Sequence, residues 1–322
     1  MILITGAFGQ VGKILQEKLD ESYNLILVDI KEDKTFKTRA SSQILIGDLQ
    51  NFDFVNSIFK KYKFDFVFNL ATNSFVEREI DKTSQYFSRC KIFENIIDSI
   101  LYNESVNKTW VFHPLSSEIF GNPKSLKQGH NSKISPISPY GIQKSIELLK
   151  CRYLNHNGFK IFHPILFNHE SKYRSFNFFT KKIISSLNKF SKGEPIETIT
   201  FYNAKSSRDF GYAYDFVEIF IIAMNKKIIG DEIIGSGINF TVLDFIKVVL
   251  EIYSIDYNLR LNDFGLHEFI INDKILIKEI HNDINDNNRC FCFDGVFINN
   301  CFKDIEVRGG SQLVGKLIED EK

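Results

Sequence analysis

The chain has 322 residues and is 43% hydrophobic, which is enough for one or two domains with a large core. Its 40 basic and 40 acidic residues balance, so overall charge favours neither nucleic acid nor an anionic membrane as a partner. No apolar run approaches the roughly 20 residues of a membrane helix, the first predicted strand leaves no room for a signal peptide, and five cysteines without metal-ligand spacing predict a reducing cytoplasm and no metal site.

The N-terminus combines a short apolar strand, Met1–Thr5, with a glycine-rich turn and a helical pattern through Leu19. Gly6, Gly9 and Gly12 form a G-x-x-G-x-x-G pattern between strand and helix, which is the context of a dinucleotide site. The first glycine permits a tight turn, the second lets the backbone approach a pyrophosphate, and the third allows close packing of the helix. The helix N-terminus then offers N–H groups to phosphate.

A second strand, Asn24–Asp29, ends in a carboxylate about 20 residues beyond the glycines, where such a group binds both ribose hydroxyls. A carboxylate there repels a 2′-phosphate, so Asp29 predicts NAD in preference to NADP, although Lys31 and Lys34 lie nearby. A third predicted strand carries Asp48 at its tip, where adenine is expected.

Further along, predicted strands alternate with helices. They comprise a strand over Phe64–Ala71, a helix over 83–103 and a strand over Lys108–His113. This alternation predicts an α/β fold with a parallel, doubly wound sheet. The sequence contains no repeat, linker or low-complexity tract, so we expect one compact unit.

The fifth strand leads to Ser116 and Glu118, at the kind of strand end where ligands bind in open α/β sheets. Tyr140 and Lys144 follow, four residues apart, after a Ser-Pro pair that suits a helix start. A phenol titrates near about 10, but a nearby ammonium stabilises the phenolate, so Tyr140 could act as a base. By itself a Tyr-x-x-x-Lys pair is more typical of an ordinary amphipathic helix. The glycine pattern and the polar groups after the fifth strand favour catalysis.

The glycine pattern and the Ser/Tyr/Lys set together resemble the extended short-chain dehydrogenase/reductases that modify nucleotide sugars. Four further segments are similar to segments of the GDP-mannose 4,6-dehydratases: Ile165–Ser171, Phe178–Ile184, Ser207–Glu218 and Ile233–Gly237. The resemblance extends from residue 1 to about 255.

The resemblance implies a Rossmann-type NAD domain, residues 1–166 plus about 196–230, and a smaller, discontinuous C-terminal domain for the nucleotide sugar, about 167–195 plus 231–322. It also implies a homodimer or homotetramer, with contacts through the helices near 83–103 and 140–157.

The resemblance further implies a redox-neutral dehydration with tightly bound NAD. Tyr140 takes the proton from the C4 hydroxyl, and Ser116 holds the oxygen of that hydroxyl by a hydrogen bond. Lys144 lowers the Tyr140 pKa and holds the cofactor ribose. Glu118 takes the C5 proton and returns it to the departing C6 hydroxyl, which gives a 4-keto-6-deoxy sugar. The alternative for Glu118 is a solvated or capping loop acid.

The predicted cofactor contacts are Gly6, Phe8, Gly9, Gln10, Val11, Gly12, Asp29, Asp48, Leu49, Leu70, Ala71, Tyr140 and Lys144. The candidate substrate contacts are Ser117, Asn168, Arg174, Lys182, Arg208 and Arg289. Asn168 could bind the sugar or a phosphate, or hold its own loop. Arg208 could pair bidentately with a diphosphate, or form an ion pair with Asp209 or Asp215. The histidines beside strand ends are interpreted as packed side chains or as side chains that support a neighbouring site residue, and not as metal ligands: His113, His163 and His169.

The base and the sugar remain open, and GDP-mannose, a GDP-heptose and GDP-N-acetylglucosamine are all compatible. The nearest rival is an NAD-dependent nucleotide-sugar 4-dehydrogenase, reductase or epimerase, which would keep Ser116, Tyr140 and Lys144 but would not depend on Glu118. A non-catalytic NAD-binding sensor is the remaining alternative, and the intact Ser/Tyr/Lys set argues against it.

Overall fold

The computed structural model of the protein describes residues 1–72, 83–281 and 290–321. The strands are β1 Ile2–Thr5, β2 Leu25–Asp29, β3 Gln43–Ile46, β4 Phe66–Asn69, β5 Trp110–Phe112, β6 Leu115–Ser116, β7 Lys160–Phe162, β8 Ile165–Leu166, β9 Asn168–Glu170, β10 Ile199–Phe201, β11 Ser207–Tyr212, β12 Ile233–Ile234, β13 Asn239–Thr241, β14 Asn258–Leu261, β15 His267–Ile271, β16 Lys274–Glu279 and β17 Cys290–Phe291. The helices are α1 Gln10–Lys18, α2 Phe52–Lys61, α3 Thr83–Tyr102, α4 Pro139–His156, α5 Phe179–Ser191, α6 Ala213–Lys226, α7 Val242–Ile252 and α8 Gly310–Glu321. Short 3-10 helices cover Ser117–Phe120 and Asn300–Phe302.

A six-stranded parallel sheet, in the order β3-β2-β1-β4-β5-β7, forms the centre of the N-terminal half. Ile2 and Ile4 of β1 pack into the core on one face with α1 and α6, and Leu3 packs into the core on the other face with α2 and α3. Since both faces are covered, the strands are almost continuously apolar, as parallel strands between helices are. The strand order is that of a doubly wound, Rossmann-type sheet, which confirms the predicted fold class.

The predicted strands are present. The fifth, predicted over Lys108–His113, is reduced to β5 Trp110–Phe112, and the fourth is also shorter than predicted. The prediction ran over Phe64–Ala71, whereas β4 ends at Asn69. The backbone N–H groups of Leu70 and Ala71 donate to the Thr5 hydroxyl at 3.1 and 3.2 Å, so the chain leaves the sheet there. This turn brings the end of β4 against the glycine-rich turn that follows β1.

The C-terminal half builds a second core on smaller sheets. One sheet has the order β10-β16-β15-β14, a second has β13-β11-β17 with β9 also paired to β11, and a third has β12-β8-β6. Helices α5, α7 and α8 bury their apolar side chains together with β10, β15 and β16. Strand β11 links the parts, since its first half pairs with β13 and β17 and its second half pairs with β9.

The described residues beyond residue 255, where the resemblance noted in the sequence fades, still form strands and a helix. Strands β14, β15 and β16 pair antiparallel in succession, and α8 packs on the second core. Within the described ranges, no helix combines the length and the apolar character needed to cross a membrane.

Candidate active site

A cavity lies where the glycine-rich turn, the segments after β5 and β8, and the start of α4 meet. It brings together thirteen of the predicted site residues: Gly6, Gly9, Gln10, Val11, Gly12, Leu70, Ser116, Ser117, Glu118, Tyr140, Lys144, Asn168 and Arg174. A second cavity shares Gly6, Gly9 and Leu70 with it and adds five more predicted site residues: Phe8, Asp29, Asp48, Leu49 and Ala71. The two cavities meet at the glycine-rich turn, so together they form one continuous cleft along the carboxyl edge of the sheet.

The glycine-rich turn has no room for a side chain at Gly6 or at Gly12. Gly6 has a φ of +62°, and a Cβ atom there would lie 2.9 Å from the Leu70 carbonyl carbon and the Ala71 nitrogen. A Cβ atom on Gly12 would lie 2.6 Å from the carbonyl oxygens of Gly6 and Ala7. Helix α1 begins directly after Gly9 and has no acidic residue in its first turn, so its N–H groups face the cleft without a competing anion. Accessible backbone N–H groups at a helix N-terminus fit the pyrophosphate of a dinucleotide.

Asp29 is the carboxylate at the end of β2, beside the second cavity. Its Oδ2 accepts the Phe8 N–H at 2.9 Å and its Oδ1 accepts the Ile30 N–H at 2.8 Å. A carboxylate has about four lone-pair sites, so these two bonds leave acceptor capacity for ribose hydroxyls. The position of Asp29 therefore fits the ribose next to adenine.

Gln10 connects the start of α1 with β9 at the first cavity. Its Nε2 donates to the His169 carbonyl oxygen at 2.9 Å, and its Oε1 accepts the Ser171 hydroxyl at 3.0 Å. Because these bonds use the side-chain amide, Gln10 holds β9 against the first turn of α1.

Tyr140 and Lys144 lie one turn apart at the start of α4, as their spacing predicts. The Ser138 hydroxyl accepts the Gly141 N–H at 3.0 Å, and Pro139 is the first helical residue, so local sequence fixes the start of this helix. Both side chains are buried, and Lys144 Nζ lies 5.9 Å from the centre of the Tyr140 ring.

The Tyr140 hydroxyl has a hydrogen bond with Ser116, and its acidity reflects opposing influences. Burial raises the pKa of Tyr140, and the positive charge of Lys144 works against that increase. Burial is the largest single influence on Lys144 and would lower its pKa, but the charge and hydrogen bond of Glu147 together with Tyr140 outweigh it. The pKa of Lys144 is therefore raised and its ammonium stays charged. The pair can therefore present a tyrosine hydroxyl, held by Ser116, to a substrate oxygen.

Glu118 lies in the short 3-10 helix Ser117–Phe120, on the same cavity wall. The Ser116 hydroxyl caps this helix by accepting the Glu118 N–H at 3.3 Å. The Ser138 hydroxyl donates to Glu118 Oε2 at 3.4 Å. The carboxylate is thus partly buried beside the catalytic tyrosine candidate, and it is not a fully solvated loop acid.

Sequence reasoning missed a buried polar network behind Lys144. Lys144 Nζ donates to Glu147 Oε2 at 2.8 Å and to the Pro114 carbonyl oxygen at 3.0 Å. His113 Nε2 lies 3.0 Å from the same Glu147 oxygen, and its Nδ1 lies 3.0 Å from Asn69 Nδ2. The interpretation of His113 as a packed or supporting side chain agrees with its hydrogen bonds in this network. The signal available in the sequence was the i, i+3 spacing of Lys144 and Glu147.

The substrate candidates divide by position. Asn168 and Arg174 line the cavity, and the Arg174 guanidinium stacks 3.6 Å from the Phe178 ring centre. Lys182 instead donates to the Thr200 carbonyl oxygen at 3.3 Å, away from the cavity wall. Arg289 lies outside the described residues.

Arg208 donates to the Ser206 hydroxyl at 2.8 Å and to the Ser207 carbonyl oxygen at 2.9 Å. The two carboxylates considered as its partners are engaged elsewhere. Asp209 accepts the Ser236 hydroxyl at 2.6 Å, and Asp215 forms an ion pair with Arg308. The described contacts therefore do not include the alternative ion pairs predicted for Arg208.

The other two histidines named beside strand ends, His163 and His169, are packed against their neighbours. His163 is 1% exposed and bonds the Ile161 carbonyl oxygen, and His169 bonds the Phe167 carbonyl oxygen at 3.0 Å. Across the part of the chain that the structure describes, no group of three or more His, Cys, Asp or Glu side chains could hold a metal ion.

Comparison with known proteins gives consistent matches. The family model described as GDP-mannose 4,6 dehydratase matches residues 3–279. The GDP-mannose 4,6 dehydratase of Cricetulus griseus is 26% identical over 262 residues, covering 76% of this chain and 70% of that protein. The solved UDP-glucose 4-epimerase of Thermotoga maritima has a TM-score of 0.78 at 17% identity and covers 99% of this chain and 97% of its own. A dTDP-glucose 4,6-dehydratase from Streptomyces venezuelae, solved with NAD, has a TM-score of 0.77 at 14% identity and covers 99% and 95%. The structural likenesses show the fold.

Proposed function

The chain belongs to the GDP-mannose 4,6 dehydratase family, and on that premise we propose that it is an NAD-dependent nucleotide-sugar 4,6-dehydratase that acts on a GDP-linked sugar. The observation that carries the proposal is the position of Glu118, which shares one cavity wall with Ser116, Tyr140 and Lys144. A reaction limited to oxidation and reduction at C4 does not require this additional acid.

Tyr140 is the proposed base for the C4 hydroxyl. Its hydroxyl is held by Ser116, and Lys144 supplies a positive charge that favours the phenolate. Bound NAD supplies the acceptor for the C4 hydride and the donor that returns it to C6. The chain's own contribution to this step is to take the proton and to exclude water with buried side chains.

Glu118 is the proposed acid–base group for water loss. A ketone at C4 acidifies the C5 hydrogen, because the resulting carbanion is stabilised as an enolate. Glu118 would take that proton and return it to the departing C6 hydroxyl, and the hydrogen bond from Ser138 fixes the carboxylate at the cavity wall. The hydride returned to C6 would be matched by a proton delivered to C5, equivalent to the proton that Tyr140 took from the C4 hydroxyl. The net product is then a 4-keto-6-deoxy sugar and one water, with the cofactor unchanged.

Arg174 is the proposed ligand of the substrate diphosphate, and Ser117 and Asn168 are the proposed contacts to the sugar. All three line the cavity, and Arg174 is the basic residue among them. The predicted substrate contacts through Lys182, Arg208 and Arg289 remain predictions. The GDP part of the proposal is supported by family membership and by the curated relatives.

The test is mass spectrometry of the purified protein incubated with GDP-, UDP- and CDP-hexoses, without added cofactor. We expect one GDP-sugar to lose one water, with no net oxidation. A loss of only two hydrogens that depends on added NAD would instead identify a dehydrogenase. Isomerisation without mass change, detected by chromatography, would identify an epimerase.

The Glu118→Gln variant sharpens this test, because the amide keeps the shape of the side chain but cannot transfer the proton. The matched control is Glu94→Gln, since Glu94 pairs with Lys150 on the surface and lies off the cavity. Loss of water release in the first variant alone supports the role of Glu118. Unchanged water release in both would contradict it.

We also propose the domain division given by the resemblance, with residues 1–166 plus about 196–230 binding NAD and the remainder binding the nucleotide sugar.

A homodimer or homotetramer through α3 and α4 is proposed as well. Its support is the exposed apolar side chains on these helices: Leu101, Leu149 and Tyr153, at 48%, 64% and 68% exposure. Light scattering of the wild type and of Leu149→Glu would test the interface.

Cys90, Cys151 and Cys301 carry thiols and no disulfide, which supports a proposed cytoplasmic location.

A further inference from the structure

The side chain of Glu147 is in direct contact with Lys144 in the interior of the protein. Glu147 lies one turn after Lys144 on α4, and the two side chains are 2% and 3% exposed. Its Oε2 accepts from Lys144 Nζ at 2.8 Å, and its Oε1 accepts from Gln143 Nε2 at 2.8 Å. Both oxygens of the carboxylate are therefore held by groups that are themselves buried.

His113 fixes the same carboxylate from a different element. Asn69 Nδ2 can only donate, so its contact at 3.0 Å makes His113 Nδ1 the acceptor and assigns the ring proton to Nε2. That Nε2–H then donates to Glu147 Oε2 at 3.0 Å. The imidazole also stacks on Phe93 with ring centres 4.1 Å apart. Asn69 at the end of β4 and His113 after β5 thus hold the Glu147 carboxylate in place through this chain of hydrogen bonds.

The charges in this cluster compensate each other. Burial lowers the pKa of His113, so the ring is neutral and donates without adding a charge. Burial opposes the charge on Glu147, but Lys144 and His113 outweigh it and hold the pKa of that carboxyl well below its usual range. One buried cation and one buried anion therefore lie behind Tyr140.

We propose that Glu147 is a positioning residue that fixes Lys144 and partly cancels its charge, so that the acidity of Tyr140 depends mainly on the charge of the bound nicotinamide. The inference rests on the proposed function, in which Tyr140 must give up its proton with oxidised cofactor and retain it with reduced cofactor. An uncompensated lysine would favour the phenolate in both states.

Other titratable groups face Tyr140 and Lys144 from three elements: Glu118 from the 3-10 helix, Cys151 from α4, and Cys90 from α3. Burial raises the pKa of Cys90 to about 11 and also raises the pKa of Cys151, so both thiols are neutral at ordinary pH. Glu118 is the remaining anion, and it can be replaced separately.

The test is a titration of tyrosinate ultraviolet absorbance, with the Tyr140→Phe protein subtracted so that only Tyr140 contributes. Each protein is titrated with NADH bound. We expect Glu147→Gln to move the Tyr140 midpoint down by roughly one pH unit, since the variant removes an anion a few ångströms away. Glu94→Gln removes a surface carboxylate of equal charge and is expected to leave the midpoint unchanged. An unchanged or higher midpoint in Glu147→Gln would overturn the inference.

A double variant covers the case in which Glu147→Gln does not fold, because burying an unpaired lysine is strongly unfavourable. Lys144→Met combined with Glu147→Gln removes both charges together. If the charges compensate, its Tyr140 midpoint stays close to that of the wild type. A rise of more than about one unit would mean that Lys144 acts uncompensated, and would contradict the inference.

Neither titration uses a sugar substrate, so the outcome does not depend on whether the protein is a dehydratase. For the active enzyme, the rising limb of kcat/KM against pH is expected to move to lower pH in Glu147→Gln. A purely structural role would lower the rate at every pH without moving that limb.

Discussion

The Ser138 hydroxyl lies 3.4 Å from Glu118 Oε2 and 3.0 Å from the Gly141 backbone nitrogen, so the residue that caps α4 also holds a cavity carboxylate. The helix start that orients Tyr140 is thereby connected to the proposed acid–base group for water loss. A change at this one hydroxyl should affect the second half of the reaction more than the first.

Replacement of Glu118 by Gln should separate dehydration from C4 oxidation. The amide keeps the side-chain volume but cannot take the C5 proton, so we expect water release to fall at least about 100-fold. Oxidation at C4 should continue, because Ser116, Tyr140 and Lys144 are untouched. The measurement is single-turnover absorbance of bound NADH together with mass spectrometry of the sugar. Equal loss of both steps would show that Glu118 acts on C4 chemistry instead.

Replacement of Ser138 by Ala should remove the cap of α4 and the hydrogen bond to Glu118. We expect a loss of about 1 kcal/mol in the free energy of unfolding, typical of a missing N-cap, and slower water release. Ser138→Thr keeps a hydroxyl that can cap and is the matched control. Urea unfolding and the rate of water release are measured on both. A stable Ala variant with wild-type water release would contradict the assignment.

Replacement of Gly12 by Ala should prevent cofactor retention. The added Cβ would lie 2.6 Å from the carbonyl oxygens of Gly6 and Ala7, so the turn and α1 must move apart. We expect a loss of about 2 kcal/mol in the free energy of unfolding and no NAD in the purified protein. The control is Gly315→Ala in α8, where no atom lies within 4 Å of the added Cβ. That change should be neutral or slightly stabilising.

Replacement of Asp29 by Asn should weaken the preference for NAD over NADP. The amide oxygen can still accept the Phe8 N–H, so the turn keeps its shape, while the charge that repels a 2′-phosphate is lost. We expect the ratio of the two affinities to change by about tenfold, a difference of about 1.4 kcal/mol. Calorimetry with both cofactors measures it. Asp53→Asn, an exposed acid at the start of α2, is the control and should change neither affinity.

Stability should fall as pH decreases through the range set by His163. Burial lowers its pKa to about 4, below the roughly 6.5 of an unfolded histidine, so the unfolded chain binds the proton first. The contribution of neutral His163 to the free energy of unfolding is therefore complete above about pH 6.5. It declines toward pH 4 by at most about 1.4 kcal/mol per pH unit.

His163→Gln removes that proton uptake, so urea unfolding of the variant should depend less steeply on pH across this range. His156→Gln, at the exposed end of α4, should keep the wild-type slope. Parallel curves for His163→Gln and the wild type would contradict the prediction.

The local parts of the cleft could be predicted from the sequence. The three glycines, Asp29, and the Tyr140–Lys144 pair depend on short-range spacing within one βα unit or one helix turn, and spacing is what a sequence displays. The helix start at Pro139 was visible for the same reason, since Ser138 caps a backbone group only three residues away.

Contacts between distant segments could not be predicted in this way. Lys144 and Glu147 have the spacing of an ordinary surface ion pair, and only the approach of His113 from β5 makes them a buried cluster. Lys182 and Arg208 were chosen because their segments resemble those of the family, but spacing alone does not determine which face of α5 or β11 points to the cavity. The shortening of β4 depends on the Thr5 hydroxyl, a side chain 65 residues away from Leu70.

The two faces of the central sheet have consequences for the order in which the chain folds. The core on the face that contains Leu3 consists of residues no later than Ile161, so it can close soon after α4 and β7 leave the ribosome. The core on the face that contains Ile2 and Ile4 requires α6, Phe302 and Val307. One apolar face of the newly made sheet thus stays uncovered until about the last fifteenth of the chain has been made. A nascent chain stalled before Phe302 should therefore be bound by chaperones on that face alone.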